Sequence, residues 1–356
     1  MSAFRLAMTF AFVLVALEAS PVSGTAAPPQ IFKPRPAPNT PPNVPPLPPA
    51  HFDPSLAIGG GDVKARKVET RLSVDVMING RGPYRFIVDS GADSSAVGLG
   101  IARQLELPVG TPAVLNGMTA RNLVDRVRVD SLTLGPTTIH QLQLPVLREA
   151  DMGGQGMIGI DALSQQRLMM DFDKHLIKVE DARTWPKALP GEIVVVARRQ
   201  RGQLILAEVR AVDQRLDAIV DTGSEVTVGN IALRDKLLRK NRATVRTLDM
   251  IGVTGETIKI QLAIIDELQL GPILMRDVPI AFADLPPFKL FGLANKPALL
   301  LGTDILENFR RVSLDFRARK VRFQLRRCTT EGVIISTDPA NFSRLSAANG
   351  TEACSK

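Results

Sequence analysis

Apolar and polar residues alternate in several short runs of the chain, most clearly in RLSVDVMING, which spans Arg71 to Gly80. A period of two is typical of a half-buried β-strand, and the Asn79-Gly80 pair that ends this run is a tight-turn signal. The run YRFIV follows and leads into Asp89. This stretch therefore predicts a β-hairpin, and similar runs elsewhere predict an all-β fold.

Helical spacing is confined to short stretches. GLGIARQL (98–105) and GNIALRDKLL (229–238) keep it for one or two turns. DALSQQ and DILENF predict two further helices, with Asp161 and Asp304 as their N-caps. Aromatic residues make up only 4% of the chain, so Val, Ile, Leu and Ala must form the core, and many β-branched residues favour strands. Helices are expected to be few and short.

Four sequence markers occur twice in the same order. Asp89 and Asp221 lie 132 positions apart, and LTLGP recurs as LQLGP at an offset of 136. MIGIDAL is matched by LLGTDIL at an offset of 143, and Asp171 and Asp315 are 144 apart. Conserved order with a growing offset indicates a duplicated unit with insertions in the second copy. Each copy is long enough to be a lobe with its own core.

The repeat and the composition of the ends divide the chain into five regions. With 45% apolar and 22% charged residues the composition is that of a globular protein. The predicted regions are a signal peptide (1–24), a Pro-rich disordered linker (25–62), an N-terminal lobe (63–190), a C-terminal lobe (191–327) and a C-terminal tail (328–356).

The first 24 residues carry Arg5, an apolar run from Leu6 to Leu17, and then small residues. This pattern is typical of a secretory signal; the alternative, a membrane anchor, would need a run of about 20 apolar residues. A secreted or periplasmic protein without a stable membrane span is therefore expected. The Pro-rich region that follows is predicted to be an extended, solvated spacer, with a propeptide or a recognition segment for a partner as alternatives.

Few residues offer metal or thiol chemistry. The chain has two cysteines, Cys328 and Cys354, which could pair in an oxidising compartment or remain free thiols in a reducing one. The three histidines are scattered along the sequence. Neither a metal site nor a cofactor is expected. The net charge of +8 favours anionic partners, but the basic clusters lack the interleaved aromatic residues of a single-strand binder, so no nucleic-acid partner is expected.

The candidate chemistry lies where two buried strands end. FIVDSGADSSAV (86–97) and AIVDTGSEVTV (218–228) each place an aspartate after an apolar run and a glycine two residues later. The glycine permits a tight turn and a close backbone approach. Either copy alone is best explained as an Asp-initiated turn, but equivalent positions in a duplicated fold favour two carboxylates that meet.

These two segments, Asp89-Ser90-Gly91-Ala92 and Asp221-Thr222-Gly223-Ser224, resemble the active-site signatures of aspartic proteases. MIGID and LLGTD resemble the second motif of that family, in which two apolar residues precede a glycine. The resemblance covers about residues 70 to 325 and is nearest to the retropepsin-like branch, including bacterial secreted members. It implies two tandem β-barrel lobes of retropepsin or pepsin type, with a short helix in each and an active site between them. Both lobes lie in one chain, which favours a monomer.

The resemblance implies that Asp89 and Asp221 are catalytic. Ionisation of both carboxyls about 3 Å apart has a high free-energy cost, because two negative charges would be adjacent. The pair therefore retains one proton. One carboxylate then acts as a base towards a water molecule and the other as an acid.

The resemblance also implies roles for the neighbouring residues. Ser90 and Thr222 would bond across the lobes, or only to local backbone, and together with Gly91 and Gly223 they would support the site. Ala92 and Ser224 would line the substrate cleft. Gly117 and Gly252, in LNGMTA and IGVTGE, would lie in flaps over the substrate, although an ordinary surface turn explains these two segments equally well.

The sequence departs from the retropepsin pattern at one ion pair. In that branch an arginine after the second-motif glycine pairs with the acidic residue that follows the first motif. Here Ile160 and Thr303 occupy the arginine positions, while Asp93 and Glu225 keep the acidic ones. Either another arginine replaces the missing one, or the lobes are held together by covalent linkage and core contacts alone.

The leading hypothesis is an aspartic endopeptidase that acts on polypeptide. The alternative is a catalytically inactive peptide-binding module of the same fold. A two-carboxylate glycosidase is disfavoured, since its carboxylates stand at least about 5 Å apart and Trp185 is the only tryptophan available for a sugar platform.

Overall fold

The computed structural model describes residues 30–31, 33–37, 61–68, 71–135, 137–163, 166–181, 191–238, 245–326 and 334–336. The predicted signal peptide, Trp185, Cys328 and Cys354 lie outside these residues. Among the described residues no helix has the length and apolar character needed to cross a membrane.

The first half of the described chain contains twelve strands and three short helices. The strands are β1 Arg35–Pro36, β2 Gly61–Val68, β3 Arg71–Ile78, β4 Arg81–Val88, β5 Ala96–Gly98, β6 Ala113–Asn116, β7 Arg121–Val124, β8 Arg126–Leu134, β9 Thr137–Leu147, β10 Gly156–Ile158, β11 Gln166–Asp171 and β12 Leu176–Asp181. The helices are α1 Leu99–Gln104, α2 Glu149–Met152 and α3 Ile160–Leu163.

The second half of the described chain contains eleven strands and three short helices. Its strands are β13 Glu192–Gln200, β14 Gln203–Ala211, β15 Gln214–Val220, β16 Val228–Gly229, β17 Arg246–Ile251, β18 Thr257–Leu270, β19 Ile273–Phe282, β20 Ala298–Leu301, β21 Phe309–Asp315, β22 Lys320–Leu325 and β23 Ile334–Ser336. Its helices are α4 Ile231–Leu238, α5 Pro286–Leu290 and α6 Thr303–Leu306.

Each lobe contains a closed ring of six strands. In the first lobe the strands pair in the order β3, β4, β10, β5, β9, β8 and back to β3. In the second lobe the order is β14, β15, β20, β16, β19, β18 and back to β14. The same pairings recur in both lobes, including the parallel contact of β4 with β10 and of β15 with β20. The prediction of an all-β fold built from two tandem barrels is therefore confirmed.

The predicted local elements are largely present. The hairpin of β3 and β4 turns at Asn79 and Gly80, both with positive φ (50° and 71°), as an Asn-Gly turn requires. The helical spacing around residues 98–105 and 229–238 corresponds to α1 and α4.

The predicted N-cap roles of Asp161 and Asp304 are wrong. Both residues lie inside their helices, and the N-cap of α6 is Gly302. The two carboxylates bond instead to the loops that follow the first motif. Asp161 accepts hydrogen bonds from the backbone and hydroxyl of Ser95, and Asp304 accepts the equivalent pair from Thr227.

The two lobes share one antiparallel sheet of six strands in the order β2, β12, β11, β21, β22 and β13. At its centre β11 of the first lobe pairs with β21 of the second. Two ion pairs cross this junction, Arg167 with Asp315 (3.1 Å) and Arg311 with Asp171 (2.5 Å). Since both arginines and both aspartates are related by the same offset of 144, the junction has local two-fold symmetry.

The expectation of a disordered linker over 25–62 is wrong for part of that region. Strand β1 pairs antiparallel with β7, and the N–H of Ala37 donates to the carbonyl of Arg121 (3.0 Å). Ile31 packs against the main apolar core. The physical reason is the free edge of β7, which an extended segment can cover; Pro36 lacks an N–H and therefore suits an edge strand. Residues 38–60 lie outside the described part of the chain.

Two strands extend beyond the expected lobe boundaries. Strand β2 begins at Gly61 and already pairs with β12. In the region 328–356, β23 pairs with β19 of the second lobe.

Candidate active site

Asp89 and Asp221 each follow a buried strand that runs parallel to the strand carrying the second motif. The last three residues of β4 and of β15 are buried. The N–H of Asp89 donates to the carbonyl of Ile158 (2.9 Å), and the N–H of Asp221 donates to that of Leu301 (3.0 Å). The strand register therefore fixes where each aspartate leaves its barrel.

The two carboxyl groups lie against each other. The side chains of Asp89 and Asp221 lie close enough to form a hydrogen bond when one of them is protonated, and both residues are buried, with 9% and 6% of their surface exposed. Each carboxyl also lies over the glycine of the opposite lobe. A Cβ placed on Gly223 would overlap the carboxyl of Asp89, and one placed on Gly91 would overlap that of Asp221. Glycine is therefore required at both positions.

Each aspartate is held by the turn that follows it. One oxygen of Asp89 accepts the N–H groups of Gly91 (2.8 Å) and Ala92 (3.0 Å). One oxygen of Asp221 accepts those of Gly223 (3.0 Å) and Ser224 (3.2 Å). In each carboxylate, two N–H donors fix one oxygen. The other oxygen of the same group therefore also keeps a defined position.

The side chains of Ser90 and Thr222 lock the two turns together. The hydroxyl of Thr222 donates to the carbonyl of Val88 (2.9 Å) and accepts the N–H of Ser90 (2.9 Å). The hydroxyl of Ser90 donates to the carbonyl of Val220 (3.0 Å) and accepts the N–H of Thr222 (3.1 Å). The bonds expected across the lobes are thus present, and all four are buried.

Burial raises the pKa of both carboxyls. For Asp89 the rise caused by burial is opposed by the N–H of Gly91, by the hydrogen bond from Asp221 and by the positive charge of Arg71. For Asp221 burial raises the pKa well above its ordinary value, and the neighbouring charge of Asp89 raises it further. Both effects favour retention of a proton by the pair.

The ion pair that the sequence lacks is replaced by arginines from the opposite lobe. Arg71 at the start of β3 pairs with Glu225 (2.6 Å) and donates to the carbonyl of Gly223 (3.4 Å). Arg201 in the β13–β14 turn pairs with Asp93 (2.8 Å). The acidic residues are therefore paired between the lobes rather than within them.

Gln203 is the counterpart of Arg71. It lies 132 positions after Arg71, donates to the carbonyl of Gly91 (3.2 Å) and contacts Asp93 (2.5 Å). Sequence reasoning missed both residues: they share the offset of 132 with Asp89 and Asp221, but nothing in the local sequence marks either as a partner of an acidic residue.

Two hairpins reach over the site. We call β6–β7 (113–124) the first flap, and β17 with the adjoining part of β18 (246–262) the second flap. Their turns are closed by the N–H of Gly117 to the carbonyl of Ala120 and the N–H of Gly252 to that of Glu256, each 2.9 Å. The tips touch, since Gly252 lies under the side chain of Thr119.

A cavity of about 120 Å³ lies between the aspartates and the flaps. Of the four residues predicted to contact substrate, Ala92 and Gly117 line it. Ser224 does not line it, because its hydroxyl turns back to the carbonyl of Val226 (2.7 Å). Gly252 does not line the cavity either, because it lies against Thr119 at the contact between the flaps. Its neighbour Val253 lines the cavity instead.

The remaining lining of the cavity is mostly apolar. The side chains that form it, apart from the two aspartates, come from both lobes and both flaps: Asp93, Ser94, Ala96, Leu115, Asn116, Met118, Leu147, Met157, Gln203, Ile219, Val253, Pro287, Leu290, Phe291 and Leu300. Among the described residues no group of three or more His, Cys, Asp or Glu side chains is placed to hold a metal ion.

Comparison with known proteins agrees with this geometry. A family model described as aspartyl protease matches residues 74–162 and again residues 207–305. The two matches together cover more than half of the chain, and each contains one of the two aspartates. No curated protein sequence matches the chain. The protein therefore belongs to the aspartyl protease family, with one copy of the retropepsin-like family domain in each lobe.

Proposed function

We propose that the protein is an aspartic endopeptidase in which Asp89 and Asp221 share one proton and activate a water molecule for attack on a peptide bond. The observation that carries the proposal is the close approach of the two buried carboxyls, each of which lies against the signature glycine of the opposite lobe. A buried pair at this spacing retains a proton, because the second ionisation would place two negative charges side by side.

The shared proton provides both an acid and a base. The ionised carboxylate accepts a proton from the water as the water attacks the carbonyl carbon, and the protonated carboxyl donates to the carbonyl oxygen. The resulting tetrahedral intermediate collapses when a carboxyl returns a proton to the departing amine. The two titrations belong to the pair, so neither aspartate is assigned the proton.

The surroundings support this chemistry in two ways. The four backbone-to-hydroxyl bonds of Ser90 and Thr222 keep the carboxyls in register, and small displacements of reacting groups reduce rates strongly. The flaps cover the cavity, and exclusion of water strengthens the electrostatic interactions inside it. A polypeptide in extended form fits a cleft that runs between two lobes under two hairpins.

Replacement of either aspartate by asparagine tests the proposal. The protein and its Asp89→Asn and Asp221→Asn variants are incubated with a denatured peptide library, with and without a transition-state mimic such as pepstatin, and cut sites are read by mass spectrometry. We expect cleavage by the unaltered protein, and a loss of about 10³-fold or more in either variant with little change in thermal unfolding. Undiminished cleavage by Asp221→Asn would refute the paired mechanism.

A peptide-binding module without activity is the second candidate. It predicts retention of library peptides without cleavage at every pH from acid to neutral.

Export through the predicted signal peptide (1–24) belongs to our proposal as well. N-terminal sequencing of the protein recovered from outside the host cytoplasm tests it.

A further inference from the structure

The second flap leaves one edge of β18 unpaired. Residues 257–260 of β18 pair with β17 on one side, whereas pairing with β19 on the other side begins only further along the strand. The backbone groups of alternate residues point to the same neighbouring strand, and the N–H of Gly252 donates to the carbonyl of Glu256. The N–H and C=O groups of Thr257 and Lys259 therefore point away from β17. Among the residues that the structure describes, none pairs with them.

The first flap has the same edge at the equivalent place. In the first lobe the N–H of Val146 donates to the carbonyl of Asp125, and in the second lobe Phe282 pairs with Gln261. Both residues of the second pair lie 136 positions after those of the first, which is also the offset between the LTLGP and LQLGP markers. The unpaired edge of β18 therefore corresponds to one edge of β7.

In the first lobe this edge is occupied by β1. Arg35 lies opposite Leu123, and the N–H of Ala37 donates to the carbonyl of Arg121 (3.0 Å). Four residues before Arg35, Ile31 packs against the main apolar core. Where this edge is covered, it is thus covered by an extended segment with an apolar anchor, which is a common mode of peptide recognition.

A groove of about 460 Å³ lies beside the unpaired edge in the second lobe. Its apolar part is formed by Phe282 and Ala283, which are buried, and by Ile231 of α4. The other residues that line it are Arg234, Thr247, Ile258, Lys259, Gln261 and Asp284. The groove therefore offers both an apolar surface and a strand edge to an extended segment.

The two edges differ in charge. Lys259 stands where the first flap has Leu123, and its side chain is 75% exposed although it pairs with Asp249 on β17 (2.9 Å). Arg35 opposite Lys259 would place two positive charges side by side, whereas an acidic side chain there would form a favourable cross-strand pair. The β1 segment of a second copy of this chain is therefore a poor occupant of the groove.

We propose that the unpaired edge of β18 and the adjoining groove bind an extended segment of a different polypeptide by β-strand addition. The backbone groups of Thr257 and Lys259 supply the hydrogen bonds. The segment carries an acidic residue opposite Lys259 and a bulky apolar residue four positions before it, as Ile31 precedes Arg35 in β1. The groove shares no lining residue with the cavity at the aspartates, so it is a second peptide site.

The inference is tested with synthetic peptides derived from β1. The probe is QIFKPDPAP, the sequence of residues 30–38 with Arg35→Asp, and the comparison peptide QIFKPRPAP keeps the arginine. A third peptide is the probe with an N-methyl group on the amide of its alanine, which removes the backbone donor. Binding of the fluorescently labelled peptides to the Asp221→Asn variant is measured by polarisation, so that the proposed catalysis does not consume the probe and its failure does not affect the test.

Lys259→Glu and the control Lys236→Glu are compared in the same background. Both exchange a positive for a negative charge, but Lys236 is an exposed residue of α4 that does not line the groove. We expect the probe to bind about threefold or more tightly than the arginine peptide. Lys259→Glu should reverse this preference and Lys236→Glu should preserve it. N-methylation should weaken binding of the probe by about fivefold.

Hydrogen exchange locates the bound probe. Exchange in 257–262 should become slower in its presence, while exchange in 121–124 should not change. Slower exchange in 121–124 instead would mean that the probe competes with β1 for the first flap, and this would overturn the inference. A peptide preference that Lys259→Glu leaves unaltered, or an absence of saturable binding, would also overturn it.

Two further outcomes would assign the groove to another occupant and so overturn the inference. Binding of the probe only after deletion of residues 337–356 would assign the groove to the C-terminal tail of this chain. A dimer that the probe dissociates would assign it to a second copy.

Discussion

Gly223 lies directly beneath the carboxyl group of Asp89, so close that a Cβ on the glycine would overlap that carboxyl. The glycine belongs to the second lobe and the aspartate to the first. The signature glycine of each lobe thus makes room for the carboxyl of the other, and the two motifs depend on each other for their geometry.

Gly223→Ala should therefore disable the site without affecting either barrel. The added methyl group must push Asp89 away from Asp221, and a shift of about 1 Å at reacting groups costs about 10²-fold in rate. We expect at least that loss in kcat/KM, measured on any peptide that the unaltered protein cuts. Gly110→Ala is the matched control, because its Cβ would press mainly on the end of the flexible Gln143 side chain. Equal activity of Gly223→Ala and Gly110→Ala would show that the overlap between the new Cβ and Asp89 is relieved without moving Asp89 away from Asp221.

The pH dependence of activity should report the shared proton. The proposed mechanism requires one proton on the pair, so kcat/KM should rise as the first proton leaves the doubly protonated pair and fall as the second leaves, which gives a bell-shaped profile. The positive charge of Arg71 lowers the pKa of Asp89. Arg71→Gln removes that charge, so the pKa should rise and the acidic limb should move to higher pH. The substitution copies Gln203, the counterpart of Arg71 in the other lobe.

Arg201→Gln is the control for this shift. It also breaks an ion pair between the lobes, the one with Asp93, but Arg201 is not among the largest influences on the pKa of either aspartate. We expect its acidic limb to stay in place. An identical shift of the acidic limb in Arg71→Gln and Arg201→Gln would mean that the loss of an ion pair between the lobes, rather than the loss of the Arg71 charge, causes the shift.

Sequence reasoning found the features that rest on local pattern or on the repeat. The strand alternation before Asp89 and the matching offset of Asp221 predict two β-rich lobes with a carboxylate at the end of a strand in each, and the resemblance to aspartic proteases implies that these lobes are barrels. It did not find Arg71 and Arg201, because each pairs with an acidic residue of the opposite lobe and nothing local marks that partnership. The sequence likewise predicts Asp161 and Asp304 to be N-caps, because nothing local marks their tertiary partners. Local spacing permits a cap, and only the tertiary contact with Ser95 or Thr227 shows the alternative.

The junction between the lobes should be sensitive to the loss of one charge. Arg167 and Asp315 are both almost fully buried. Removing one partner of such a pair typically destabilises by about 3–5 kcal/mol, whereas replacing both by apolar residues costs far less. Arg167 also contacts Glu180 (2.9 Å), so we expect about 3 kcal/mol for Asp315→Ala and recovery of most of it in Arg167→Met/Asp315→Leu, measured by denaturant unfolding.

An exposed ion pair supplies the comparison. Lys259 and Asp249 lie on the second flap with 75% and 60% of their side-chain surface exposed. Asp249→Ala should change the free energy of unfolding by less than about 1 kcal/mol. A similarly small change in Asp315→Ala would show that the junction does not depend on its buried charges.

Strand β1 should stabilise the first flap. That flap is a hairpin of two four-residue strands, and β1 is its third strand. An isolated two-stranded hairpin is only marginally stable in water. The second flap needs no such addition, because β18 continues into the barrel of its own lobe and pairs there with β14 and β19. Deleting the residues up to Ala37 should therefore loosen the first flap and leave the second unchanged.

Hydrogen exchange compares the two flaps within one molecule. Chains that begin at residue 25 and at residue 38 are exchanged side by side, and peptides covering 113–124 and 246–262 are followed by mass spectrometry. We expect exchange in 113–124 to become about tenfold faster in the shorter chain, which corresponds to a loss of about 1.4 kcal/mol in local opening free energy. Exchange in 246–262 should not change. Equal acceleration of both segments would indicate a general loss of stability, and no acceleration of 113–124 would show that the first flap holds its shape without β1.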